Sequence, residues 1–459
     1  MVVKGKTSHS AVILIAALLL ALWPLPGTMA ARNLLLLAGL AAAIPVIKDR
    51  LNLLRQPHAW PVYVLFSFFL WLIVHFVFFA GDRADQWHEL VGDWPRNLFA
   101  AVLGLALGLA LSTPQASPPA PRDRRLQALL ILGFSGTVMI FCGRYAYEIY
   151  RTGQWVHHDF FMVPYLGKTP LVIFGSIFLP LMFLKLLDGL GGLEHWQWFV
   201  YGALGIGATL ITFYFGNTKN GFAIFALLLC YFLFCAVRQL IGGPPKGIRR
   251  GAGFALVVVS LLAFGIAAKK HLESNTAWSN LIADFKISVQ IDKHTNWKDR
   301  VSPYPLNELG QTVNASTYER VAWARAGLEL LTEHPLGYGL INHSFGAMAI
   351  NRWQGFHQPD GNNRGSTHSG WLDFTLGFGI IGLLLVWVPL VASFWRARKH
   401  TGFWGRYAVW AIPVIGFTYL TTEVCTGHFI ELLFFLTAMF CGLTLKRPDE
   451  PSAAAGGSA

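Results

Sequence analysis

The side chains best suited to chemistry in this chain lie in one polar stretch, residues 269 to 370, between long apolar segments. It carries Arg320 and Arg325, and it ends in His368-Ser369 as the next apolar segment begins. A histidine beside a polar loop can titrate near neutrality and act as a general base. Arginines supply fixed positive charge and paired hydrogen bonds to an anion. The pattern favours proton transfer beside a bound anion, although a lone histidine is more often structural.

Arg320 is predicted to lie near the start of a helix. Ser316-Thr-Tyr-Glu319 has the spacing of a capping box, which predicts a helix from about Thr317 to Thr332 with Arg320 in its first turn. The N-terminal end of a helix favours negative charge, so a cation there suggests a nearby anion such as phosphate. The alternative is a surface arginine on a docked amphipathic helix.

Two further cations are candidates for binding an anion. Lys219 lies between two apolar segments, where a lysine could also simply extend to the membrane interface. Arg144 is predicted inside an apolar segment, and a charge within a membrane is costly enough to indicate function. Pairing with Glu148 or Glu423 is the structural alternative for Arg144.

These residues must be positioned by membrane helices. The chain is 54% hydrophobic and only 13% charged, which is far too little charge for a water-soluble surface. Apolar runs recur that can cross a bilayer core of about 30 Å, and only helices satisfy their backbone there. We predict an all-α polytopic membrane protein with about twelve transmembrane helices. They are expected near residues 10–27, 33–47, 60–80, 97–112, 126–148, 170–187, 197–215, 221–240, 253–268, 371–394, 407–425 and 428–445.

The flanking charges predict the orientation. Alternate loops are basic and nearly free of acids, which places them and both termini in the cytoplasm. The predicted organisation is therefore helices 1–9 in residues 1–268, a large, partly helical periplasmic loop in 269–370, helices 10–12 in 371–447 and a disordered cytoplasmic tail in 448–459. The first apolar run resembles a signal peptide, but a second run follows so closely that an uncleaved helix is favoured.

Composition also argues against several function classes. The net charge of +12 sits largely in short loops on one face, as membrane topology requires, so we expect no nucleic-acid partner. The cysteines lie in apolar segments, and no His, Cys or carboxylate cluster has the spacing of a metal site. No glycine loop has the spacing of a nucleotide site. We therefore expect neither a metal nor a cofactor.

Three patterns together resemble a known family. Arg320-Val-Ala-Trp323 leads a helix into His334-Pro-Leu-Gly337-Tyr-Gly339, and His368-Ser369 is followed after nine residues by Gly379-Ile-Ile-Gly382. These runs, with the expected topology along nearly the whole chain, are similar to the O-antigen ligases of the O-antigen ligase/polymerase group of membrane glycosyltransferases. Family members often carry an arginine where this chain has Lys219, and lysine lacks its bidentate geometry.

The resemblance implies a GT-C-like enzyme of the bacterial inner membrane with its active site facing the periplasm. It would transfer a polysaccharide from undecaprenyl pyrophosphate to a sugar hydroxyl of lipid A–core, without metal and with inversion. His368 would be the general base, and Arg320 and Lys219, with Arg144 and Arg325 as weaker candidates, would stabilise the pyrophosphate leaving group. Membrane lipids would be the other partners.

The residues alone do not exclude several other functions. An O-antigen polymerase or a protein O-oligosaccharyltransferase would share the architecture and the donor. A transporter or lipid flippase would explain Arg144 and Glu423, but the chain lacks the paired broken helices of such folds.

Overall fold

The computed structural model describes residues 2–112, 121–155, 166–190, 196–242, 248–274, 280–299, 301–356, 365–422 and 427–445. Glu423 and the predicted disordered tail lie outside these ranges. Within the ranges, the chain is helical and has no strand.

The described residues form α-helices that follow one another in this order: α1 (Val2–Leu22), α2 (Met29–Asp49), α3 (Leu51–Leu54), α4 (Trp60–Phe78), α5 (Arg83–Gly92), α6 (Trp94–Leu111), α7 (Pro121–Thr152), α8 (Lys168–Leu190), α9 (Trp196–Phe215), α10 (Lys219–Gly242), α11 (Ile248–Ser274), α12 (Leu281–Ser288), α13 (Asn296–Asp299), α14 (Ala315–Glu333), α15 (Ser344–Arg352), α16 (Gly370–Ala397), α17 (Phe403–Thr421) and α18 (Gly427–Leu443).

Each of the predicted apolar segments coincides with a helix over most of its length, which confirms an all-α polytopic protein; α1 ends at Leu22, before the predicted end at residue 27. Among the described residues, 8 helices are long and apolar enough to cross a membrane, and two shorter apolar helices lie at Ser8–Leu22 and Gly427–Leu443. The total number of crossings and the side of each loop stay predictions. The helix α11 continues to Ser274, so the first residues of the polar stretch are helical.

Glycines allow the backbones of neighbouring helices in the bundle to pack in direct contact. At Gly104 and Gly108 of α6, a Cβ atom would collide with the backbone of Phe435 and Met439 in α18. Small residues spaced by four let two helix backbones approach closely, which supplies the van der Waals contact that drives helix association in lipid. The interior around this contact is filled by aromatic and aliphatic side chains.

The polar segment between α11 and α16 has a small core of its own. Trp297, Tyr318 and Trp323 are buried at its centre, together with residues of α15. The Trp323 indole donates a hydrogen bond to the Trp297 carbonyl at 2.9 Å. The helix α14 is therefore fixed within a folded unit and does not lie loosely on the bundle.

The capping-box prediction for α14 is wrong. The N-cap is Asn314, whose side chain accepts from the Thr317 amide, and the helix begins at Ala315. Glu319 lies five residues after this cap, which is too far for a capping box, and it accepts a hydrogen bond from the Tyr304 hydroxyl at 2.8 Å. Arg320 consequently lies in the second turn and not in the first.

The two glycine motifs form one junction between the loop and the bundle. Gly379 interrupts α16 with a φ of 69° and a ψ of −178°. The turn after α14 pairs with this break: the amides of Tyr338 and Gly339 donate to the carbonyls of Leu376 and Gly377, at 2.8 and 2.6 Å. A Cβ on Gly379 would collide with the Leu336 backbone. The motifs are therefore needed for close backbone contact.

Candidate active site

The predicted residues Lys219, Arg320 and His368 line one cavity of about 310 Å³, together with Lys168 and Ser316. It lies where α8 and α10 begin, α17 ends and α14 crosses above them. The remaining lining residues are Thr169, Val172, Asn217, Thr218, Asn220, Thr421 and Thr422. Residues far apart in the sequence thus surround a single polar space with three cationic side chains.

Lys219 is positioned by a tight turn between α9 and α10. Asn217 has a left-handed backbone with a φ of 48°, and the Thr218 amide donates back to the Phe213 carbonyl at 3.1 Å. The neighbouring Asn220 side chain donates to the Thr421 carbonyl, which ties the start of α10 to the end of α17. The cavity wall that carries Lys219 is therefore held in place on both sides.

Positive charge is concentrated in this cavity. The Lys219 ammonium is repelled by Arg320 and Lys168 and attracted by Asp284. Its Nζ lies 3.5 Å from the Ser316 hydroxyl, which itself donates to the Asn314 cap at 2.8 Å. Like charges gathered around a polar space favour an anionic ligand, because the ligand relieves their repulsion.

His368 is held in a constrained position at the rim of the cavity. Its φ of 57° lies in the left-handed region, which is uncommon for a residue other than glycine. Its ring stacks on the Trp323 indole, with 5.2 Å between centroids and 20° between planes. Backbone strain of this kind is typical of functional sites where the surrounding structure fixes a side chain.

Asp373 fixes the loop that carries His368, and the sequence interpretation missed it. Its Oδ1 accepts hydrogen bonds from the Thr367 amide at 2.7 Å and from the Thr367 hydroxyl at 2.8 Å. The same hydroxyl oxygen accepts from the Ser369 amide at 3.2 Å. Asp373 and Thr367 are both buried. An acidic residue in the first turn of an apolar helix was the available signal.

Lys168 was also missed. It is the first residue of α8, and the positive-inside rule does not distinguish it from other charged residues of the outer loops. Only the packing of α8 beside α10 brings its charge to Lys219.

Arg144 and Arg325 do not line the cavity. Arg144 lies 3.8 Å from Glu148 one turn further along α7. Arg325 forms a 2.8 Å ion pair with Glu329 and faces outward from α14. Both pairs have the spacing of ordinary helix-surface ion pairs. Among the described residues, no group of three or more His, Cys, Asp or Glu could hold a metal.

Residues 204–387 match a family model described as O-antigen ligase (Wzy_C). The match supports an O-antigen ligase family assignment for the domain formed by these residues. This domain extends from α9 into α16, so it includes Lys219, Arg320, His368 and both glycine motifs. It is typical of a glycosyltransferase-type membrane enzyme. A comparison with curated protein sequences gives no match.

Proposed function

We propose that this protein transfers a polysaccharide from undecaprenyl pyrophosphate to a sugar hydroxyl of lipid A–core at the periplasmic face of the inner membrane. The observation that carries the proposal is the meeting of His368, Arg320 and Lys219 around one cavity. A proton acceptor beside a cluster of fixed cations suits a reaction in which a hydroxyl attacks and a pyrophosphate leaves.

The cations would stabilise the leaving group. As the bond between the donor sugar and the pyrophosphate oxygen breaks, negative charge grows on that oxygen. Arg320, Lys219 and Lys168 are already in place to meet this charge, so little reorganisation is needed in the transition state. Arg320 offers paired hydrogen bonds, whereas the two lysines act as point charges. We assign Arg144 and Arg325 no contact with the pyrophosphate.

His368 would take the proton from the acceptor hydroxyl as that oxygen attacks the donor sugar. Attack from the side opposite the pyrophosphate would invert the anomeric centre. Stacking on Trp323 limits rotation of the imidazole and holds it toward the cavity. General-base catalysis of this kind contributes about 10²–10⁴-fold to a rate.

An apolar groove would accept part of the polyprenyl chain. It lies between α10 and α17, has a volume of about 360 Å³ and is lined by Leu228, Tyr231 and Phe417 among others. The same two helices contribute Lys219 and Thr421 to the polar cavity. Phe417 is four residues before Thr421, or about 6 Å along the helix, so a lipid tail could continue directly from the pyrophosphate into this groove.

The test uses purified protein, a lipid-linked polysaccharide donor and purified lipid A–core, with products separated on a gel. We expect His368→Ala to remain folded and to lose about 10²–10⁴-fold in ligation rate. His334→Ala is the matched control, because His334 is an exposed histidine of the same domain that does not line the cavity. A near-normal product ladder from His368→Ala would refute the assignment of the base.

A second pair of variants tests the cations. Arg320→Lys keeps the charge but loses bidentate bonding, and a charged hydrogen bond contributes about 1.5–3 kcal/mol, so we expect a loss of roughly 10- to 100-fold. Arg325→Lys, just over one turn further along α14, should be unaffected. If the wild-type protein instead lengthens the donor glycan without lipid A–core, the enzyme is a polymerase.

A further inference from the structure

The short helix α12 has its polar and apolar faces reversed. Asp284 and Ser288 are fully or almost fully buried, whereas Leu281, Ile282 and Phe285 are 40%, 76% and 52% exposed. A helix at the surface of a water-soluble domain buries its apolar face and exposes its polar one. The outward face of α12 is therefore suited to an apolar environment.

Hydrogen bonds fix this orientation. The Asp284 carboxylate accepts from the Asn307 side chain at 2.9 Å and from the Asn314 amide at 3.0 Å. The Ser288 hydroxyl donates to the Asp284 carbonyl. Turning α12 over would bury its apolar face but would leave the Asn307 side chain and the Asn314 amide, which are buried or partly buried, without their acceptor, and an unsatisfied buried donor is costly. The exposed apolar face is thus a stable property of the fold.

The neighbouring chain segment enlarges the apolar surface. Leu306 and Leu309 are each 60% exposed, and an ion pair of 2.7 Å between Lys286 and Glu308 holds their turn against α12. Exposed apolar residues that are contiguous, and not scattered singly, mark an interaction surface.

The surface follows closely in the chain after α11, which also exposes apolar side chains. Val259, Leu262 and Ile266 of that helix are 60%, 62% and 59% exposed, as expected for side chains that face acyl chains. Five residues, 275–279, link Ser274 to Asn280, so the start of α12 lies within about 20 Å of the end of α11. Lys269 and Lys270, at that end, are exposed and suit anionic lipid headgroups.

We propose that α12 is an interfacial helix that lies in the membrane surface beside the active-site cavity, with Leu281, Ile282 and Phe285 inserted among the lipids. The occupant of the apolar face is membrane lipid. Amphipathic helices of this kind bury their apolar side at the boundary between headgroups and acyl chains.

This contact has a consequence for the catalytic residues. Asp284 of α12 holds the amide of Asn314, the cap of α14, and Ser316 in the first turn of α14 contacts Lys219. Membrane insertion of α12 therefore sets the height of the Arg320 helix above the bilayer. The distance of the active site from the lipid surface is thus fixed by the insertion of α12.

The experiment places a photoreactive benzoylphenylalanine at position 282 or 285 of the full-length protein, reconstituted in nanodiscs of phosphatidylethanolamine and phosphatidylglycerol. After illumination, intact-protein mass spectrometry detects the adducts. We expect lipid adducts at both positions. The control is the same residue at position 332, an exposed polar site in the last turn of α14, which should give at least tenfold fewer lipid adducts.

The mass spectra distinguish the outcomes that would contradict the proposal. A crosslinked dimer would assign the face to a second copy of the chain and overturn the proposal. Absence of adducts at 282 and 285, or yields equal to those at 332, would show that the face is in water. Because the readout is crosslinking and not turnover, the result does not depend on the proposed reaction.

Discussion

Replacement of Asp373 by alanine should impair the reaction although Asp373 does not line the cavity. Asp373 makes two hydrogen bonds to Thr367, at 2.7 and 2.8 Å, and both residues are buried. A hydrogen bond to a charged group contributes about 1.5–3 kcal/mol. Because both bonds share one oxygen, we expect a combined contribution of about 3–4 kcal/mol, below simple additivity.

This energy holds the backbone on the N-terminal side of His368 in its strained conformation. If it is lost, the productive position of the imidazole becomes a minor state, and the turnover number falls in proportion. At 1.36 kcal/mol per tenfold change, 3–4 kcal/mol corresponds to about 10²–10³-fold. Asp373→Asn retains an oxygen acceptor without charge, so its loss should be about tenfold.

The assay is single-turnover ligation at saturating donor, with the thermal unfolding midpoint measured in parallel. Thr375→Val is the matched control: Thr375 is buried in the same helix, but its hydroxyl returns to the carbonyl of Trp371 within that helix. We expect this variant to keep its turnover. If Asp373→Ala ligates within threefold of the wild type, the loop is held by other contacts and the positioning argument is refuted.

Two further predictions concern charge and backbone contact. Lys168→Ala should lower kcat/KM for the donor about tenfold, because a charge that stabilises the pyrophosphate in the transition state is lost. Lys270→Ala, which removes an exposed lysine outside the cavity, should leave it unchanged. Equal kcat/KM values in donor titrations would remove Lys168 from the site. Gly379→Ala should prevent stable folding, since the added Cβ would collide with the Leu336 backbone and the φ of Gly379 is positive. Gly143→Ala is the control, because the space around Gly143 is open. Equal yields of monodisperse protein for both variants would contradict the close contact between Gly379 and Leu336.

Much of the site could be predicted because its signals are local. The sequence predicts a helix from about Thr317 to Thr332, and the structure has one at Ala315–Glu333. Lys219 and His368 each stand out as a polar residue at the end of an apolar run. Such positions can be identified from the sequence, because the energetic cost of a charge in the membrane restricts where charged residues occur.

Other features could not be predicted because they depend on distant partners. The cap of α14 is Asn314 and not Ser316, since Asp284 fixes the Asn314 amide and Tyr304 engages Glu319. Local spacing favoured the wrong residue because it contains no information on these contacts. Lys168 likewise gains its place only from the packing of α8 against α10.

Hydropathy and the need to satisfy backbone hydrogen bonds act locally, so the order of the amino acids is enough to indicate a helical membrane protein with a polar segment and a small set of reactive residues. The tertiary structure decided which of those residues meet. It brought Lys219, Arg320 and His368 to one cavity and left Arg144 and Arg325 in ion pairs within their own helices. The reason is physical: charge is a property of the residue, whereas its surroundings are set by helices that lie far apart in the chain.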